Sequence, residues 1–125
     1  MVFLMKWKKK MTYDETLESR ILSAIDGWKN VSAKKMFGGV CHLVHGNMFC
    51  GVYKNFLILR LGESAADEAL SNSHTKVFDI TGRPMKGWVM VAPDGFTTEE
   101  ALTAWLKKAL AFAQRLPAKK ERSGS

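Results

Sequence analysis

The stretch that most restricts how this chain can fold is residues 40–61, where three apolar runs follow one another with almost no connecting chain. Residues 40–44 and 48–53 flank His45-Gly46-Asn47, a Gly/Asn turn of the kind that joins hairpin strands. Lys54-Asn55 then separates the second run from Phe56-Leu57-Ile58-Leu59-Arg60-Leu61. Three strands linked this tightly make a β-meander. With Gly46-Asn47 as a two-residue turn, Cys50 pairs opposite Leu43, and Cys41 becomes its diagonal neighbour.

Three other segments repeat with helical spacing, each opening on a capping-box-like tetrad. The first begins at Thr12 with Glu15 three residues on, and sets Tyr13, Leu17, Ile21, Ile25 and Trp28 on one stripe. The second begins at Ser64, with Asp67, and ends near Asn72. The third begins at Thr97, with Glu100, carries Leu102, Trp105, Leu106, Ala109, Leu110, Ala113 and Leu116, and closes at Pro117. Between the last two, residues 76–80 and 87–91 read as strands. The order is helix, three or four strands, helix, two strands, helix: an α+β chain with an antiparallel sheet.

At 125 residues the chain suits one domain with a real core. Its formal charge is +7, which raises the question of where that charge lies. Residues 1–10 hold Lys6, Lys8, Lys9 and Lys10 with no acid, and residues 117–125 hold Lys119, Lys120 and Arg122 against Glu121. The body between them is nearly neutral, so the basic character is assigned to two disordered tails, 1–10 and 118–125. No apolar run approaches the ~18 residues that cross a bilayer, and the opening MVFLMKWKKK has the reverse order of a signal peptide. Two cysteines are too few for a disulfide scaffold. A cytoplasmic protein with reduced thiols and no membrane partner is the expectation.

Specific stretches carry a family resemblance. Lys34-Lys35-Met36-Phe37-Gly38-Gly39, the Gly46-Asn47-Met48 turn, Cys50-Gly51-Val52 and Leu59-Arg60-Leu61-Gly62 follow one another in register. Phe78-Asp79-Ile80-Thr81-Gly82-Arg83-Pro84-Met85-Lys86-Gly87 forms a second signature, and Trp105-Leu106 through Leu116-Pro117 a closing helix. Together, over residues 11–117, they resemble the TfoX/Sxy N-terminal domain family. The resemblance implies an α+β fold with an antiparallel sheet of secretion-chaperone-like architecture. It also implies that Met11 is the family's usual start, with residues 1–10 an extension. Full-length competence regulators of the family add a C-terminal helical domain, for which this chain has no room, so it resembles the stand-alone type.

Candidate sites divide into structural and functional ones. Met36, Phe37, Gly38 and Gly39 lead into a strand rather than a helix, with no Lys-Ser/Thr following. They read as a bulge or tight bend, not a phosphate loop. Gly46, Gly82 and Pro84 are read as turn residues, and Gly87 as opening the strand 87–91; all four count as structural and not functional positions. Cys41, His42, His45 and Cys50 are spaced wrongly for zinc or for a disulfide, because strand neighbours point to opposite faces. No metal, cofactor or catalytic set is expected. Ser64, His74 and Asp79 make no triad, since Ser64 is read as a helix cap and no nucleophile elbow is present.

The polar set with most promise is Arg60, Asp79, Arg83 and Lys86. Arg60 shares a strand face with Phe56 and Ile58, so its charge must find a partner or reach past the rim. Asp79 is the candidate carboxylate for Arg60 or Arg83, an ion pair that would tie the Gly82-Arg83-Pro84 turn to the meander. The functional alternative is an anion or acidic-partner site using Arg83 and Lys86. The overall reading is a non-catalytic regulatory or interaction module that binds a protein partner through a sheet face or edge, a homodimer being one form. The alternative is a nucleic-acid-associated regulator using the basic tails. A small-ligand or catalytic site near Arg60, Asp79 and Arg83 stands third.

Overall fold

The computed structural model describes residues 13–36, 38–79 and 82–119; most of both tails therefore lies outside the described residues. Helix α1 (Glu15–Ala24) leads into strands β1 (Val31–Met36), β2 (Gly39–Val44), β3 (Asn47–Tyr53) and β4 (Phe56–Arg60). There follow helix α2 (Glu63–Ala69), strands β5 (Thr75–Val77) and β6 (Trp88–Val91), a 3-10 turn (Pro93–Phe96) and helix α3 (Glu99–Gln114). The strands form one open sheet in the order β1-β2-β3-β4-β6-β5, with every neighbouring pair antiparallel. The α+β class and the meander are as the sequence implies, with β1 supplying the fourth strand of the first group.

Local details differ from expectation for identifiable reasons. The β2–β3 turn is His45-Gly46, not Gly46-Asn47, because Val44 pairs with Asn47. Both turn residues have positive φ, 50° and 81°, the backbone that matches strand twist in a two-residue hairpin. Asn47 is thereby freed to begin β3 and to donate its side-chain amide to Pro117 O at 3.0 Å. Lys119, assigned to the tail, donates its N–H to His45 O at 2.8 Å. Further along, His42 pairs with Cys50 and Leu43 with Met48, so Phe49 is an extra residue in β3. That bulge lies here and not at Gly38-Gly39, where the chain reverses tightly between Met36 and Gly39 with Gly38 at φ 75°; Phe37 lies outside the described residues.

The helix caps also shift. Asp14 caps α1, accepting from the amides of Thr16 and Leu17; Thr12 lies outside the described residues. Gly62 precedes α2, and Ser64 sits inside that helix with no capping bond. Thr98, one residue beyond Thr97, accepts from the Ala101 amide at the start of α3. Strand β5 stops at Val77 instead of residue 80, because Phe78 turns inward and its carbonyl accepts from the Met85 amide.

The helices all pack on one face of the sheet. Leu17 and Ile21 of α1 and Leu102, Leu106, Ala109 and Ala113 of α3 meet Val44, Phe49, Leu57, Leu59, Val89 and Val91 in one buried core. Full burial of each large apolar side chain contributes roughly 1.5–3 kcal/mol. On the opposite face Ile58, Phe78 and Met90 are buried in a smaller cluster, with Met48, Tyr53, Phe56, Met85 and Trp88 half-covered around it. No described helix covers this second face.

Candidate functional site

Arg60 ends β4 on the helix-free face, in register with Trp88 of β6. Its guanidinium carbon lies 5.3 Å from the centre of the Trp88 ring and 5.9 Å from that of Phe112, which reaches over from α3. The expected ion pair with Asp79 is absent: the pairs among the described residues are Arg20–Glu99 and Glu18–His42. Aromatic faces, not a carboxylate, hold the charge, because Asp79 stands exposed beyond Phe78 at the far end of its loop. Arg83 and Lys86 are exposed on the same 78–87 connection. Of the four residues singled out, Arg60 and Lys86 line one pocket of about 170 Å³ with Glu63 and Trp88, and Asp79 and Arg83 stand outside it. Gly87 O accepts from the amides of both Leu61 and Gly62, fixing the pocket's floor to β4. Gly82 (φ 91°) and Pro84 lie exposed in the loop, where the Gly82 amide donates to Asp79 O at 2.9 Å.

Two further cations repeat the Arg60 arrangement on this face. Lys54 Nζ lies 5.5 Å from the Tyr53 ring centre, and Lys76 Nζ 5.2 Å from that of Phe56. These residues were not singled out from sequence. Strand parity places Lys76 on the Phe56 face only once β5 is known to pair with β6 and β6 with β4. Cation–ring contacts of this kind are worth ~0.5–1 kcal/mol at exposed sites.

The carboxylates of the body are segregated and not merely balanced. The strands carry Lys34, Lys35, Arg60 and Lys76 and no acid, and their connections add Lys54, Arg83 and Lys86. Against these stands only Asp79. The other carboxylates of the described residues all lie on or beside the helices, as in Asp14-Glu15, Glu63, Asp67-Glu68 and Glu99-Glu100. The helices also carry Arg20, Lys107, Lys108 and Arg115, and Lys35 shares the helix-side parity of Val40, so cations lie on both sides of the body while its acids, Asp79 apart, are confined to the helical side.

The thiols and imidazoles do not converge. Cys41 pairs with Gly51 and faces the helix-free side, whereas Cys50 lies opposite His42 and faces α1. Both are free and buried. Burial pushes the Cys50 thiol well above its ordinary value, with Glu18 and then Cys41 adding to the rise; Cys41 is raised by burial and partly lowered again by Lys34. His42, 1% exposed, places Nε2 at 2.9 and 3.1 Å from the two carboxylate oxygens of Glu18. His45 is in the exposed turn, and His74 is in the α2–β5 connection, where its amide donates to Asn72 Oδ1. No cluster of three metal-ligating side chains occurs among the described residues.

A larger groove of about 670 Å³ runs between α2 and α3 past Leu61, Ala65, Glu68, Trp105 and Lys108. Its walls carry both signs of charge, so it defines no ligand chemistry.

These features describe a small α+β domain with a one-sided helical layer and a basic, aromatic sheet face. The model of the TfoX N-terminal domain matches residues 23–113, most of the chain. The chain belongs to that family. Comparison with curated proteins finds no match. Among the described residues no helix is long and apolar enough to cross a membrane.

Proposed function

We propose that this domain is a non-catalytic interaction module of the cytoplasm that docks an acidic segment of a partner protein on its helix-free sheet face. The observation that carries this reading is the set of three cations, Lys54, Arg60 and Lys76, each laid on an aromatic ring of one face whose strands hold no carboxylate. Ring contacts pre-position these side chains, which reduces the entropy lost when an acidic partner binds. Half-buried Tyr53, Phe56, Met85 and Trp88 supply the apolar centre that such an interface needs. A second copy meeting this face through a two-fold axis would bring like charges together, so the partner is a different chain.

Nucleic acid is the competing occupant that the basic face invites. The Tyr53, Phe56 and Trp88 rings already carry a cation, which leaves less free ring face for stacked bases. Affinity capture from the native cell separates the cases, comparing the parent with a Lys54→Glu/Lys76→Glu double variant. Both sites are exposed, so the variant should melt like the parent and lose a salt-sensitive protein partner. Retention of that partner by the variant, or capture abolished by nuclease treatment, overturns the reading.

A further inference from the structure

We propose that the pocket beside Arg60 binds a single oxyanion, a carboxylate or a phosphate group, whether or not the sheet face docks a protein. The Arg60 guanidinium is flanked by Trp88 and Phe112 at 5.3 and 5.9 Å from their ring centres, which limits how its plane can turn. Guanidinium donors lie in that plane, so restricting it aims a fixed fork along one edge. The half-buried side chain makes no hydrogen bond and no ion pair among the described residues. A cation with five donors in that position needs water or an anion as acceptor.

The surroundings match such a ligand in charge and size. Lys86 borders the same pocket and adds a second positive charge. The volume of about 170 Å³ corresponds to five or six waters at ~30 Å³ each, enough for one headgroup and its remaining hydration shell. Gly62 and Gly87 form part of the wall without side chains; a Cβ on Gly62 would stand 2.7 Å from the Phe112 ring that flanks Arg60. Glu63 also borders the pocket yet pairs with neither cation. It opposes an incoming anion and keeps the site weak.

That opposition gives a test whose sign a merely structural role does not produce. The full chain, ¹⁵N-labelled, is titrated with sodium phosphate and with sodium acetate, using sodium chloride at matched ionic strength as control. Saturating shifts are expected at the Trp88 indole N–H, the Arg60 Nε–H and the Gly62 and Gly87 amides. Lys86→Gln should weaken binding and Glu63→Gln should tighten it, each by about two- to fivefold, with unchanged melting temperatures. Tighter binding of phosphate identifies a phosphoryl group as the natural source. Tighter binding of acetate identifies a carboxylate, and a short peptide against its C-terminal amide then tells a terminal carboxylate from a side-chain one. Chloride-like shifts spread over all the lysines, no saturation by concentrations on the order of 0.1 M, or weakening by Glu63→Gln would overturn the proposal.

Discussion

The two faces of the sheet are made from alternate residues of the same strands, yet they are finished in different ways. Leu57 and Leu59 enter a core closed by α1 and α3, and Ile58 between them enters a cluster closed by Phe78 and Met85. Acids gather on the helix side, where Arg20, Lys108 and Arg115 also lie over rings; the other face sets Lys54, Arg60 and Lys76 on rings with no acid in its strands. The difference separates the work of folding from the work of recognition. One face is closed by regular elements that bury large apolar side chains, and the other by one irregular connection that leaves aromatic rims accessible.

The largest expected effect tests that division directly. Leu59→Ala removes a fully buried side chain beneath two helices and should cost about 4 kcal/mol, whereas Ile58→Ala should cost about 2 kcal/mol, since its cover is one connection that can settle inward. Denaturant unfolding of both variants measures the gap. Equal losses would mean that the second face is as much a folding core as the first.

Next in size is the polar contact that crosses the helix-side core. His42 is buried against Glu18, so Glu18→Ala leaves an imidazole without its acceptor and should cost about 1–3 kcal/mol. Arg20, two residues further along α1, donates to Phe96 O and Glu99 and lies over the Phe96 ring. Arg20→Ala should cost about 1–2 kcal/mol, with more of the loss in the α3 end of the domain. Hydrogen exchange locates it: if α3 amides are no more labile than those of β2, Arg20 is not the staple that joins α1 to α3.

The thiols compare the faces chemically. Both are held above the ordinary value of 9.0 by burial, Cys50 the more strongly. Cys41, beside Lys34 on the helix-free side, should be alkylated before Cys50, which should react only as the domain opens. The unfolded chain ionises first as pH rises, so stability should fall progressively above about pH 9, the ordinary thiol value, and stay unaffected by these groups below it. Mass spectrometry of partly alkylated protein gives the order. Equal rates at the two sites would show that the helix layer protects its thiol no better than the helix-free face does.

What could be read from sequence follows the range of the interactions. Meander, helices and core stripes are local patterns, and Leu17-Ile21 or Leu102-Leu106 state their burial by spacing alone. Caps were displaced by one or two residues, because neighbouring Thr97 and Thr98 satisfy the same local rule and only the preceding 3-10 turn chooses between them. Arg60 was legible as a charge emerging from an apolar face; its ring partners were not, since Phe112 lies 52 positions away on another element. The Phe56–Lys76 contact depends on β6 entering the sheet between β4 and β5, an order that no local pattern encodes.

The smallest effect concerns an imperfection in the better-built face. Thr75 begins β5 in register with Val91, so it faces the helix side, and its hydroxyl is buried without a hydrogen-bond partner among the described residues. A stranded hydroxyl costs its desolvation without return. Valine has nearly the same shape and the same preference for strands, so Thr75→Val should preserve packing while removing that penalty. A gain of up to about 1 kcal/mol is expected, a rise of roughly 4–8 °C at most in the melting temperature of a domain this size. A loss instead would mean that the hydroxyl is satisfied by water reaching past the sheet edge. The helix-covered face would then be wetter at β5 than its core suggests, and the contrast between the faces would narrow at that edge.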